Sequence, residues 1–420
     1  MVNKRKKILM SAYACEPNKG SEPGVGWNWA VHMSKTHDVY VITRLNNKDV
    51  IEEYLKHNPI DNLHFYYHDC SAFKRKLKKL PNGIFIYYKI WQKEILPLAS
   101  KIVKEEKIDL VHHVTFNEFR TPGKLYKLSC PFVWGPIGGC QFYNPIFKNA
   151  YFSKKDLLKE KLRNTINMCY LRFSSDIHHA VRDAAAILIA DQSTEAVMPQ
   201  TRKYIRLLET GYNIDRNGMK VYDASYYQGP LDRPINLLWV GGIWPRKGLK
   251  VLLDALHESE FYDYSLKIVG KGEDKTNCEN LVKEYGLEDK ISFLGSLSYE
   301  EVNGLYDDAD VFVFTSLRDT SGNVVLEAMS HGLPVIALDH HGVGEMVTDF
   351  TGIKIPPVSY EQVKKNMILA IKKYYETPEL MKTHGEAGRK RLEESYSWEY
   401  NASEMLKVYN QILKGKNENA

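Results

Sequence analysis

The apolar run Val311-Phe-Val-Phe314, set between Asp310 and Thr315, has the length and β-branched, aromatic content of a strand buried on both faces. Strands of that kind belong to parallel sheets, and parallel sheets need helices to cover them. The following residues meet that need. Ser316 to Gly322 reads as a turn, and an apolar helical pattern starts at Val324, with Glu327 one turn in. The spacing predicts a helix end near His331-Gly332, because glycine commonly follows the last helical residue and Pro334 cannot continue it. Val335–Leu338 then reads as a strand and His341-Gly-Val-Gly344 as a second glycine-rich turn. A chain built this way is an α/β protein whose loops gather at the carboxyl ends of parallel strands, where open sheets bind ligands.

The same strand–turn–helix grammar recurs along the 420 residues, a length that suits two or three domains. Ile8–Ala14 predicts a first strand, and the turn Glu16 to Gly26 leads into a helix from Trp27. Gly24 and Gly26 suggest a dinucleotide fingerprint, but the third small position is occupied by Trp29, which argues against a dehydrogenase. The turn is either a simple connection or a ligand-facing loop. Val39–Thr43 predicts the next strand, Ile108–His113 another that ends in His112 and His113, and Pro131 to Gly139 a further strand and loop. After Ala185–Ala190 the pattern weakens, and Gly229-Pro230 and Pro234 place a hinge within Asp223–Pro234. Asn236–Val240 opens a second doubly wound domain. It ends in the loop Gly241-Gly-Ile-Trp-Pro-Arg-Lys-Gly248, with strands expected at Ser265–Gly270 and Ile291–Leu294, the last closed by Gly295.

Composition narrows the class. With 44% apolar and 26% charged residues the chain reads as soluble α/β, and no run approaches the ~18 apolar residues of a membrane span. Lys4-Arg-Lys-Lys7 and the apolar residues after it resemble an export signal, but the glycine-rich turn beyond favours a first Rossmann-type strand. Six scattered cysteines lack paired spacing, so reduced structural thiols are expected and no metal site. A net charge of +5 is too mild to argue nucleic-acid binding. One stretch stands apart. Phe73 to Lys104 carries nine basic residues against the single acid Glu94, interleaved with Tyr87, Tyr88, Trp91 and other apolar residues. It suits either peripheral contact with anionic lipid or a surface helix whose aromatics enter the core.

At the turn before Val324, the amides of Gly322, Asn323 and Val324 and the positive end of the helix dipole favour an anion such as a diphosphate. Asp319 and Glu327 flank them, either as hydroxyl acceptors or as a turn former and a dipole-satisfying acid. The combination of Asp319, seven residues, Glu327-Ala-Met329 and Gly332-Leu-Pro-Val335 resembles the donor-site signature of family 4 retaining glycosyltransferases, in which a Glu usually holds the place of Asp319.

That resemblance implies a GT-B fold: two Rossmann-like, doubly wound domains facing across a cleft, with a C-terminal helix crossing back to the first. The corresponding domains are 1–222 for the acceptor, 223–396 for the nucleotide-sugar donor, and 397–420 for the terminal helix. It also implies retaining, metal-independent transfer of a hexose from a nucleotide diphosphate sugar, with UDP as the default carrier and no cofactor. The acceptor would be polyprenyl-linked or an oligosaccharide, in surface polysaccharide biosynthesis at the cytoplasmic face of the membrane. By the same resemblance Lys247 pairs with the diphosphate, Arg246 stands in for an arginine replaced here by Gly242, and Glu327 takes the ribose hydroxyls. Asp319 takes the sugar hydroxyls, Gly295 meets the base, Gly24 and Gly26 lie near the donor, and His113 contacts the sugar. Two rival readings are a GT-B-fold sugar-nucleotide epimerase and a non-catalytic sugar-nucleotide-binding partner subunit.

Overall fold

The computed structural model describes residues 5–80, 83–213 and 229–418. They form two compact units, each built on its own parallel sheet. The first comprises Met1–Cys140, Asn167–Gly211 and Trp398–Ala420. Its strands are β1 (Lys7–Ala12), β2 (Asp38–Arg44), β3 (Leu63–His68), β4 (Leu110–Thr115), β5 (Phe132–Ile137), β6 (Ala186–Ile189) and β7 (Tyr204–Arg206). They lie in the order β3-β2-β1-β4-β5-β6-β7, so the winding reverses between β1 and β4. Register follows the apolar alternation: Ile8 pairs with Val39 on one side and Leu110 on the other. Ile8 and Met10 enter one core with Trp29 of helix Ser21–Ser34 and Met405 and Tyr409 of helix Trp398–Glu418. Leu9 enters the opposite core with Tyr87, Trp91 and Ile95 of helix Gly83–Glu106.

The terminal helix is held by specific contacts in this unit. The Trp398 and Trp29 rings meet edge to face at 5.3 Å, and the Tyr409 hydroxyl bonds His112 Nδ1 at 2.6 Å. The aromatic face of Phe73–Lys104 also turns inward: Tyr87, Tyr88 and Trp91 are fully buried, while Phe73, Leu80, Phe85 and Ile86 remain exposed. A sheet with two apolar faces draws aromatic residues inward more strongly than a headgroup layer would, since both faces must be covered.

The second unit comprises Gln141–Ile166 and Tyr212–Ser397. Its strands β8 (Ile235–Val240), β9 (Tyr264–Val269), β10 (Ile291–Gly295), β11 (Val311–Phe314), β12 (Val335–Leu338) and β13 (Gly352–Ile355) lie in the order β10-β9-β8-β11-β12-β13, all parallel. Here the winding reverses between β8 and β11. Helix Asn323–Ser330 stops where the sequence predicts, with Gly332 at φ +72. The stretch after His341 differs, forming a short helix, His341–Met346, rather than an open turn.

The segment Gln141–Ile166, placed by sequence in the first domain, clusters with the second unit because Tyr143, Phe147 and Tyr151 join its core. Helix Lys154–Phe173 carries the chain from one unit to the other. Of the expected hinge, residues 223–228 lie outside the described residues. No described helix is long and apolar enough to cross a membrane.

Candidate functional site

In the second unit the loops after β8 and β11 are stitched together by backbone contacts. Leu317 N donates to Arg246 O at 2.8 Å, Thr315 Oγ1 to Lys247 O at 3.0 Å and Ser316 Oγ to Arg246 O at 3.3 Å. Gly248 makes this approach feasible: its φ is +65, and a Cβ there would collide with the Thr315 carbonyl. The stitching brings Lys247 Nζ directly onto the Asp319 carboxylate and 5.5 Å over the Phe314 ring. Arg246 lies 3.8 Å from the same carboxylate and donates to Arg318 O at 3.3 Å.

Asp319 leads into helix Asn323–Ser330, whose N-cap is Gly322. The first hydrogen bonds back to Gly322 O come from Val325 N (2.7 Å) and Leu326 N (3.2 Å), so the amides of Asn323 and Val324 precede the intrahelical ladder. One turn in, Glu327 is half-buried and accepts a hydrogen bond from the Tyr306 hydroxyl at 3.0 Å. Burial raises its carboxyl pKa above the ordinary range, and the Tyr306 bond offsets part of that rise. Gly295, at the end of β10, has φ +73 and open space where a side chain would be, and its carbonyl accepts from Gly270 N at 2.7 Å.

The residues that brace this loop were not evident in sequence. Arg318 forks onto Glu160 with two bonds of 2.9 Å, Gln141 Nε2 donates to Thr320 Oγ1 at 3.0 Å, and His340 Nε2 donates to Ser316 O at 2.9 Å. Glu160 and Gln141 are more than 150 positions away in the chain, and neither carries a motif that would announce the pairing. Neighbouring His341 is kept neutral, its pKa lowered to about 3 by burial and then by His340.

The first unit gathers a second polar cluster at the ends of β1 and β4. His113 is fully buried, bonded through Nε2 to the Tyr88 hydroxyl at 3.0 Å, and burial, then His112, lowers its pKa to about 3. Its Nδ1 is buried without a hydrogen-bond partner. His112, the alternative candidate, is structural: its two nitrogens serve Tyr409 Oη and Gly135 O, each at 2.6 Å. The same unit holds a residue that sequence reasoning passed over. Glu22, at the start of helix Ser21–Ser34, accepts from Asn117 N at 3.2 Å and has its second oxygen buried without a partner. Burial pushes its pKa up to about 7, against the Asn117 bond and with help from Glu209 and Glu118. In sequence Glu22 lies in the expected turn before Trp27; that it opens a helix and has one carboxylate oxygen buried is decided by the fold.

Gly24 and Gly26 correct the expectation of a ligand-facing loop. The helix begins at Ser21, so both lie inside it. A Cβ on Gly24 would strike the Lys19 carbonyl and one on Gly26 the Ala14 carbonyl, so these glycines admit the chain's own backbone. Thus the second unit brings together Lys247, Arg246 and Asp319, with Gly322, Asn323, Val324 and Glu327 following on the same loop and helix, and Gly295 on a neighbouring strand end. His113, Gly24 and Gly26 belong to the first unit.

Two such sheets, with charged groups at the strand ends beside a helix N-terminus, define a GT-B protein. Solved structures agree in fold. The sucrose-phosphate synthase of Thermosynechococcus elongatus superposes with a TM-score of 0.64 at 19% identity, covering 98% of this chain and 100% of that one. Anabaena HepE, solved in complex with UDP and glucose, gives 0.61 at 16% identity, covering 97% and 100%. Residues 228–391 match the family described as glycosyl transferases group 1, and the chain carries a domain of that family. An alpha-D-kanosaminyltransferase of Streptomyces kanamyceticus is 26% identical over 245 residues, 56% of this chain and 62% of that protein. The chain spans about half the length of the curated relatives it matches.

Proposed function

We propose that the protein is a retaining glycosyltransferase that moves a hexose from a nucleotide diphosphate sugar, with UDP the default carrier, to a lipid-linked or oligosaccharide acceptor in surface polysaccharide biosynthesis. The observation that carries this reading is the Lys247–Asp319 contact beside the first-turn amides of Asn323 and Val324. A diphosphate on those amides competes with Asp319 for the lysine. Once the lysine turns to phosphate, the Asp319 carboxylate is released to accept a sugar hydroxyl. Donor binding and sugar recognition are then one exchange of partners.

Lys247, Arg246 and the helix N-terminus supply positive charge to the departing diphosphate, so no metal is required. Glu327, oriented by Tyr306, takes the ribose hydroxyls, and backbone near Gly295 meets the base. In the first unit His113, buried as it stands, would have to be uncovered for its Nδ1 to take a sugar hydroxyl. The names of relatives point the same way: matches include putative colanic acid and amylovoran biosynthesis glycosyltransferases, and HepE is solved with UDP and glucose. The protein would work at the cytoplasmic face of the membrane, in peripheral contact with anionic lipid.

The test is a panel of nucleotide sugars offered to the purified protein with EDTA and no added metal. Slow release of nucleoside diphosphate from one donor, with product in the donor's anomeric configuration by NMR, supports the proposal. Donor binding without turnover on any acceptor favours a binding partner subunit. Conversion of the sugar without an acceptor favours an epimerase. No nucleotide binding overturns the donor-site reading.

A further inference from the structure

Helix Lys154–Phe173 exposes a face that the folded chain leaves uncovered. Leu158, Leu162, Ile166 and Phe173 are 65%, 57%, 40% and 73% exposed, and Met168 beside them is 62% exposed. At 3.6 residues per turn the first four fall within an arc of about 80°, a continuous apolar stripe along a helix about 30 Å long. The exposed charges of the helix itself are of one sign. Lys154, Lys155, Lys159, Lys161 and Arg172 are exposed, whereas the helix's two acids are turned away. Asp156 is bound to Ser153 and Lys159, and Glu160 is clamped by Arg318, leaving them 18% and 13% exposed. By helical position Lys159 and Lys161 fall on opposite flanks of the stripe, with Lys154, Lys155 and Arg172 near its ends.

We infer that helix Lys154–Phe173 lies in the headgroup layer of an anionic bilayer and is the chain's principal membrane contact. The inference deepens the peripheral-membrane part of the proposed function and rests on it. Lys159 on one flank is paired with Asp156 and lies near Glu273, but Lys154, Lys155, Lys161 and Arg172 leave the face net positive, which matches a surface that is apolar beneath and negative above. Self-association fits poorly, because a two-fold contact would set these cations against their own copies. At the earlier candidate, around Phe73 to Ile86, the exposed apolar residues do not share one helix face: Phe73 lies in helix Ala72–Arg75, and Phe85 and Ile86 lie in helix Gly83–Glu106.

Sedimentation of the full chain with vesicles tests this, using phosphatidylcholine alone and phosphatidylcholine with phosphatidylglycerol at low salt. Wild type should sediment only with the anionic vesicles. The variant Leu162→Glu/Ile166→Glu/Phe173→Glu should lose at least about tenfold in binding, with its melting temperature and its nucleotide-sugar binding unchanged. A Leu162→Trp variant should show a blue-shifted emission on anionic vesicles, a readout independent of the triple change. If the triple variant binds as wild type while Phe73→Ser/Leu80→Ser/Phe85→Ser does not, the helix is wrong and the membrane reading stands. If wild type binds no vesicle, both fail while the donor assay remains unaffected. A wild-type dimer in solution that the triple variant dissolves would overturn the inference in favour of a second copy.

Discussion

The two strand-end clusters handle charge in opposite ways. In the second unit the charged groups stand in pairs: Lys247 with Asp319, and Arg318 with Glu160. In the first, no ion pair among the described residues involves Glu22 or His113, Glu22 Oε2 and the whole of His113 are buried, and burial pushes each group toward its neutral form. Pairs can be exchanged for a ligand's charges, whereas a buried neutral group offers hydrogen bonds and little net field. The contrast suggests that the second unit recognises a polyanion and the first hydroxyl groups.

Four experiments break or sharpen that contrast. The largest effect should come from Lys247→Ala, which removes the exchangeable cation and should lower kcat/KM for the donor by about 100-fold or more, with little change in melting temperature. An equal loss of fold would make the pair structural. Gly26→Ala comes next and should act on stability instead, costing about 2–3 kcal/mol in denaturant titration because its Cβ meets the Ala14 carbonyl. Normal stability with weakened donor binding would restore the ligand-facing reading of that turn.

A double-mutant cycle on Arg318→Ala and Glu160→Ala should give a coupling of about 1–3 kcal/mol, since both side chains are largely shielded and the bond is forked. Zero coupling would leave the loop after β11 without its brace.

The fourth test reads a slope rather than a step. His113, held to about 3, stays neutral while the unfolded chain protonates near the ordinary 6.5, so its contribution is present above 6.5 and lost as pH falls below it. Glu22, raised from 4.5 to about 7, keeps its proton while the unfolded chain gives one up, so stability falls as pH rises through that window. Denaturant midpoints across pH should therefore show His113→Asn flattening the acid side and Glu22→Gln the neutral side. Unchanged slopes in both variants would mean that water reaches this cluster.

The second unit was the more legible in sequence. Five of its six strands fall within one or two residues of the runs expected for them, and the central Val311–Phe314 and Val335–Leu338 are legible because a strand buried on both faces must be apolar along its whole length, whereas Gly352–Ile355 was not anticipated. The positions of Lys247, Asp319 and Glu327 beyond their strands were legible as well, since an apolar strand run fixes where the following loop begins, while their roles were implied only by the resemblance. The start of helix Ser21–Ser34 was not, because two glycines and a proline look like a turn until the carbonyls of Lys19 and Ala14 are seen filling the space.

By itself, then, the sequence determined the alternation of strands and helices in each half of the chain and the charged loop beside helix Asn323–Ser330. These follow from local periodicity and from the few places where glycine and proline interrupt it. Only the tertiary structure decided that Glu22 Oε2 is buried, that Gln141–Ile166 serves the second unit, and that the aromatics of helix Gly83–Glu106 face inward while the stripe of Lys154–Phe173 faces out. Burial depends on which distant segments cover a side chain. A helix with two candidate apolar faces carries no local mark of the one that will be covered.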